Sequence, residues 1–285
     1  MTSVLKVIVI LMLFFILVSL KPVKHKTVLC LFGIINRSIK HTWANTNELI
    51  VKELENNGCD VDIYVFDLIP DNSLVDGLKL EMDDYKIIPF THYESKLQSE
   101  LDIEIDEQME GRNATFGQYN EKTQIKNCYR QMYSEYRVGL FLDSKNYDSA
   151  VVCGPDYYLH KPINVEDLCN SKEEVYVADV YNRYNRKIGY SNGYYFSRNM
   201  DALKCMLCRY KYIVPYMIGF KKDYENLLKL FCDKNRIKVK VSDQIFFKIR
   251  ANNKIWKGPI AGGGDKRIRG MVKNFIATNP TFRVG

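Results

Sequence analysis

The sequence predicts an α/β domain: a mostly parallel sheet flanked by helices, preceded by an N-terminal membrane-anchor helix. Three observations carry this. Residues 27–33 (TVLCLFG) are an unbroken apolar run closed by glycine, the pattern of a strand buried on both faces. A helical pattern and then a second strand-like run, residues 61–66 (VDIYVF), follow directly. Strand–helix–strand is the repeating unit of parallel sheets. Finally, residues 4–20 are apolar apart from Lys6 and Ser19.

That N-terminal stretch is at the short end of what spans a bilayer, for which about 20 residues are needed. It ends Leu17, Val18, Ser19, Leu20, Lys21 and lacks the small-residue pattern that signal cleavage requires. The expectation is an uncleaved signal anchor, with residues 1–26 as cytosolic tail and anchor. Residues 27–285 then form one lumenal or extracellular domain, secreted if the segment is cut. Two sequons, Asn36-Arg37-Ser38 and Asn113-Ala114-Thr115, agree with that side of the membrane.

The elements follow in order. Asn45-x-x-Glu48 reads as a capping box, with Leu49, Ile50 and Leu54 at helical spacing and Gly58 as the stop. The second strand ends at Asp67, and residues 86–90 suggest a short third strand. Acids crowd residues 94–120, which read as an exposed excursion with at most a short helix. Residues 125–142 are strongly amphipathic, with Arg130, Gln131, Glu135 and Arg137 off the apolar stripe. Tyr147-Asp148 turns into a strand at 149–153. Further strands are expected at 175–179, 193–197 and 237–241, with helices at 200–212 and 224–235. Ser242 or Asp243 can cap a helix through Arg250. No repeat or linker divides residues 27–285.

Composition narrows function. Apolar residues make up 46%, enough for a full core. A net charge of +7 suits an anionic small ligand or an anionic membrane surface. No basic stripe interleaved with aromatics is present, so nucleic acid is not an expected partner. Cys30 and Cys153 fall inside strands as buried thiols. Cys205 and Cys208 form a C-x-x-C without a second pair, a weak zinc signal.

Two segments carry candidate chemistry. Gly33 closes the first strand, and Arg37 follows in the loop where open α/β sheets bind ligands. The segment is neither G-x-G-x-x-G nor a Walker A loop. Residues 151–158 (VVCGPDYY) set one carboxylate, Asp156, just beyond a buried strand on a Gly-Pro turn. It suits a divalent cation completing its shell with water and phosphate, or a cap for the following turn.

Five segments in this order resemble nucleotide-sugar glycosyltransferases of the GT-A fold, in a form common among large DNA viruses and algae. They are residues 32–43 (FGIINRSIKHTW), 130–142 (RQMYSEYRVGLFL), 147–159 (YDSAVVCGPDYYL), 189–197 (GYSNGYYFS) and 242–250 (SDQIFFKIR). The resemblance implies a Rossmann-like, GT-A-type mixed sheet and transfer of a sugar to a hydroxyl of a glycan, lipid or protein. Such enzymes present Asp-x-Asp to manganese or magnesium. Here Asp156 matches one acid, and Tyr158 stands where the second would be. The resemblance places Gly33 and Arg37 beside the nucleotide, Asp67 on base or ribose, and Gln131 toward the donor. It sets Asp179 and Asn192 near the sugar, Asp156 on the metal in a catalytic role, and Asp243 as base or acceptor ligand. The tail with Lys266, Arg267 and Arg269 closes on the diphosphate or frays. Two alternatives stay open: an inactive glycan-binding or structural protein of the same fold, and another lumenal transferase such as a sulfotransferase.

Overall fold

The computed structural model describes residues 25–71, 74–110, 122–179, 189–213, 224–256 and 265–285. The expected anchor at residues 4–20 and the sequon at Asn113 lie outside them, as do Gly262, Gly263 and Gly264. No helix among the described residues is long and apolar enough to cross a membrane.

Strand β1 (His25–Gly33) explains its own apolar run. Val28, Cys30 and Phe32 enter the core on one face of the sheet; Leu29 and Leu31 enter the core on the other. A sheet covered on both sides has no face for polar side chains. Helix α1 follows as one continuous run through Ile39–Thr46, a π turn at Asn47–Val51, and Lys52–Asn56. It therefore starts before the expected capping box. Asn45 is interior and uses its amide elsewhere: Oδ1 accepts from the Leu159 N–H at 2.7 Å, and Nδ2 donates to the Leu159 carbonyl at 3.2 Å.

Strand β2 (Cys59–Ile69) pairs in parallel with β1, setting Asp67 opposite Gly33. The strand thus continues past Asp67. A small hairpin, β3 (Leu74–Val75) and β4 (Leu78–Lys79), turns at Asp76 and Gly77. The third sheet strand is not at 86–90, because Pro89 lacks the N–H a ladder needs. A 3-10 turn occupies Asp84–Ile87, and β5 (His92–Leu97) pairs with β2 instead.

The acidic stretch is more ordered than its charge suggests. Helix α2 (Gln98–Met109) buries Leu101 and Ile105, one turn apart, in the core. Two of its acids face basic residues of α3 (Lys122–Asp143). Arg130 pairs with Asp102 and Lys126 with Asp106, while Arg137 pairs with Glu94 of β5. The charge run is one half of an ion-paired helix interface.

Strand β6 (Ser149–Cys153) forms as expected, followed by short β7 (Tyr157–Leu159) and α4 (Val165–Asn170). Next come β8 (Glu174–Val177), β9 (Tyr194–Ser197), α5 (Met200–Leu207), α6 (Tyr210–Ile213), α7 (Tyr224–Lys234) and β10 (Lys238–Val241). The helix expected through Arg250 is instead a strand, β11 (Phe246–Lys248), antiparallel to β7. Ring packing selects it: Phe246 stacks on Tyr157 at 3.9 Å and Phe247 on Tyr158 at 5.1 Å. Last are β12 (Lys254–Ile255), α8 (Lys266–Thr278) and β13 (Arg283–Val284). Helix α8 buries Ile268, Val272 and Phe275, so the basic residues at its start do not belong to a frayed tail.

The main sheet has the order β10-β8-β9-β6-β1-β2-β5. All neighbours run parallel except β9, which opposes both β6 and β8. The chain leaves β1 toward β2 and β5, then returns to β6 on β1's other side. Connections beyond β1 and β6 therefore diverge, opening a crevice at their carboxyl ends.

Candidate functional site

A cleft of about 520 Å³ opens at that divergence. Gly33 lines it from the end of β1, and Gly154, Pro155 and Asp156 line it from the end of β6. Gly33 adopts φ +111°, a conformation costly for any residue with a Cβ, and its backbone forms part of the wall. Gln131 and Ser134 of α3 form another side. The charged lining residues are Arg37, Asp76, Arg130, Asp156, Lys248 and Arg250, four basic against two acidic.

The two carboxylates are already engaged. Asp76, at the hairpin tip, takes the Arg37 fork, Nε to Oδ2 at 2.8 Å and Nη2 to Oδ1 at 2.6 Å. It also accepts the Ala251 N–H at 3.1 Å. Burial alone would raise the Asp76 carboxyl; the Arg37 pair outweighs it and holds the group below the usual carboxylate range. Asp156, 8% exposed, accepts from Arg250 Nη1 at 3.2 Å. Its backbone carbonyl takes the Ile249 N–H at 2.8 Å, and Thr42 bonds the neighbouring Pro155 carbonyl at 2.6 Å. The Gly-Pro turn is thereby fixed against β11 and α1.

Lys248 stands differently. Its ammonium lies 4.9 Å from the centre of the Tyr157 ring and 5.4 Å from that of Trp256. No carboxylate among the described residues forms an ion pair with it. Burial holds its pKa below the ordinary lysine range, against the pull of Asp156. Burial also lowers Arg250, again with Asp156 opposing.

Of the residues expected from sequence, Gly33, Arg37, Gln131 and Asp156 meet in the cleft. Asp67 does not line it. Its side chain, 1% exposed, turns into the protein and accepts from Ile35 N (3.0 Å), Asn36 Nδ2 (3.3 Å) and Tyr93 Oη (3.3 Å). It anchors the turn that carries Arg37, so its oxygens are not offered to a base or ribose. Burial raises it to about 6, with those hydrogen bonds pulling the other way. Asn36 is buried too, bonded to Asp67 and to the Tyr85 N–H at 2.8 Å. A glycan on that amide is incompatible with the fold.

Asp179 and Asn192 lie farther along the same sheet edge, after β8 and before β9, outside the cleft lining. Asp179 pairs with Arg267 at 2.8 Å, and Arg267 also holds Asp265 at 2.6 Å, so that cation is committed within the fold. Asp243 is mostly exposed and pairs with Lys161. It does not cap a helix and is not among the residues that line the cleft. Sequence reasoning missed Asp76, Lys248 and Arg250. The signal for the last two was alternation: Phe246, Lys248 and Arg250 are spaced i, i+2, i+4, one face of an extended chain.

The expected manganese or magnesium does not suit these surroundings. Tyr158, in place of a second acid, packs its ring on Phe247 and Phe275. Among the described residues no group of three or more His, Cys, Asp and Glu side chains is placed to hold a metal ion. A divalent ion at Asp156 would also face Arg250, Arg37 and Lys248. At an effective dielectric of about 20, a monovalent cation about 5 Å away opposes it by roughly 7 kcal/mol.

No protein-family model matches the chain, and no curated protein matches it. Among solved structures, the chain is similar to the apo crystal structure of mouse xyloside xylosyltransferase 1. The likeness has a TM-score of 0.41 and 10% identity, over 77% of this chain and 85% of that chain.

Proposed function

We propose that the chain is a glycosyltransferase that moves a sugar from a nucleotide-sugar donor to a hydroxyl of a glycan, lipid or protein. One observation carries the reading: a basic cleft at the carboxyl ends of β1 and β6, where the sheet's connections diverge. A diphosphate flanked by a nucleoside and a sugar matches that charge and place. The sequence resemblance of the segments contributing Gly33, Arg37, Gln131, Asp156 and Lys248 supplies the sugar-transfer chemistry.

In this reading Gly33 lets the nucleotide approach the backbone, and Gln131 and Ser134 face the donor from α3. The sugar extends toward Asp179 and Asn192. The bond between the anomeric carbon and the diphosphate oxygen breaks, with its electron pair going to the diphosphate. The acceptor oxygen bonds the anomeric carbon and gives up its proton to solvent or a nearby base. Charge developing on the diphosphate is where fixed cations help most. An anchor at residues 4–20 would keep the domain at a lumenal or extracellular membrane face; carbonate extraction leaving the full-length chain in the pellet tests that part.

Thermal shift of the full chain against nucleoside diphosphates and the sulfated adenosine nucleotide tests the function. Stabilisation by uridine or guanosine diphosphate supports a glycosyltransferase. Stabilisation by the sulfated nucleotide alone supports a sulfotransferase, and no response to any of them favours a binding protein.

A further inference from the structure

The cations of the cleft belong to three separate segments that the fold brings together. Arg37 comes from the turn after β1, Lys248 from the end of β11, and Arg250 from the bend beyond it. Each is held in place by contacts within the fold. The Arg37 turn hangs on Asp67 through the Ile35 N–H. Lys248 is held between two rings and by the ladder to Tyr157. The bend at Arg250 is tied by its own N–H to the Lys254 carbonyl at 2.8 Å and by Ser38 Oγ to the Ile249 carbonyl at 2.5 Å. Preorganised cations at a common locus are costly to keep close unless an anion completes them.

We propose that Arg37, Lys248 and Arg250 form a metal-independent diphosphate site, taking the part a divalent cation would otherwise play. The inference rests on the nucleotide-sugar reading above and deepens it. Arg37 and Arg250 offer planar donors to phosphate oxygens, and Lys248 a point charge between them. Both arginines are held by carboxylates, Asp76 and Asp156, and the incoming phosphate shares or displaces those contacts. Among the described residues Lys248 has no carboxylate partner to surrender.

Calorimetric titration of the full chain with uridine diphosphate, guanosine diphosphate and inorganic pyrophosphate tests this, once in EDTA and once in manganese. The expected result is a diphosphate affinity equal in the two buffers to within about threefold. Lys248→Met and Arg250→Met are each expected to weaken it by about tenfold or more, and Lys248→Arg to retain it. Asp156→Asn separates the two chemistries: it frees Arg250 and leaves binding unchanged or tighter, whereas losing a metal ligand abolishes it. Should Arg250→Met fail to fold because Asp156 is orphaned, Lys248→Met, checked by its melting curve, still carries the test. Binding that occurs only with manganese overturns the inference and leaves the nucleotide reading standing. No binding in either buffer overturns that reading, and the inference with it. Undiminished binding by both methionine variants shows that Lys248 and Arg250 do not hold the diphosphate and overturns the inference.

Discussion

Helix α3 borders two groups of charges, and they are resolved in opposite ways. Glu135 is fully buried and receives Arg209 at 2.5 Å, Tyr224 Oη at 3.1 Å, Gln131 Nε2 at 3.1 Å and Tyr195 Oη at 3.3 Å. Its partner Arg209 is 1% exposed. That network sets one acid against one base, with tyrosines and Gln131, which also lines the cleft, filling the remaining acceptor positions. Ser134, one residue away, faces the cleft, where basic groups outnumber acidic ones and Lys248 is unpaired among the described residues. A neutralised network belongs to folding. A surplus of one sign, held rigidly in an open cleft, is what a ligand of the other sign completes.

The largest expected effect lies in the neutralised network. Glu135→Gln should destabilise the fold by about 3–5 kcal/mol in urea unfolding, because it strands Arg209 without its counter-charge. A loss below about 1 kcal/mol would mean that water already shares the pair and that the contrast with the cleft is false. Next is Asp67. Its carboxyl is raised to about 6 in the folded protein, above its unfolded value, so the folded state holds that proton more tightly. Stability from this group is therefore greatest at low pH and is lost as pH rises from about 4 to about 6, by roughly 3 kcal/mol. Unfolding free energies of wild type and Asp67→Asn measured across that window should diverge by about this amount; parallel curves would show an ordinary carboxyl. Arg37→Ala should weaken nucleotide binding by about 1.5–3 kcal/mol in calorimetry, with the fold retained. Unchanged affinity would leave Arg37 as a partner of Asp76 alone. Smallest is Asp243→Ala. An exposed pair with Lys161 is worth about 0–1 kcal/mol, and neither turnover nor nucleotide affinity should move. A large drop in turnover would restore Asp243 as a catalytic group.

The same contrast explains what the sequence made legible. β1 and β6 are buried on both faces, and their apolar runs announce them; β6 lies at residues 149–153 as read. Gly33 and Asp156 were findable because they end such runs. Asp67 misled because an acid near a strand end looks the same whether it points at a ligand or, as here, at the Ile35 N–H. Glu135, off the apolar stripe of α3, gives no sign of its burial in the sequence, because Arg209, which neutralises it, is distant in the chain. Lys248 and Arg250 were hidden by a helical reading of residues 242–250, which only the stacking of Phe246 and Phe247 on β7 overturns. Asp76 is visible only in three dimensions, since the hairpin that carries it makes sense through Arg37 and Ala251.

The most direct measurement is a crystal structure of the full-length or anchor-trimmed chain with uridine or guanosine diphosphate, grown in EDTA. The account predicts the diphosphate at the carboxyl ends of β1 and β6, its oxygens within hydrogen-bond distance of Lys248 and of at least one of Arg37 and Arg250. A diphosphate bound elsewhere, such as beside Arg267 and Asp179, or an empty cleft at saturating nucleotide, would contradict it.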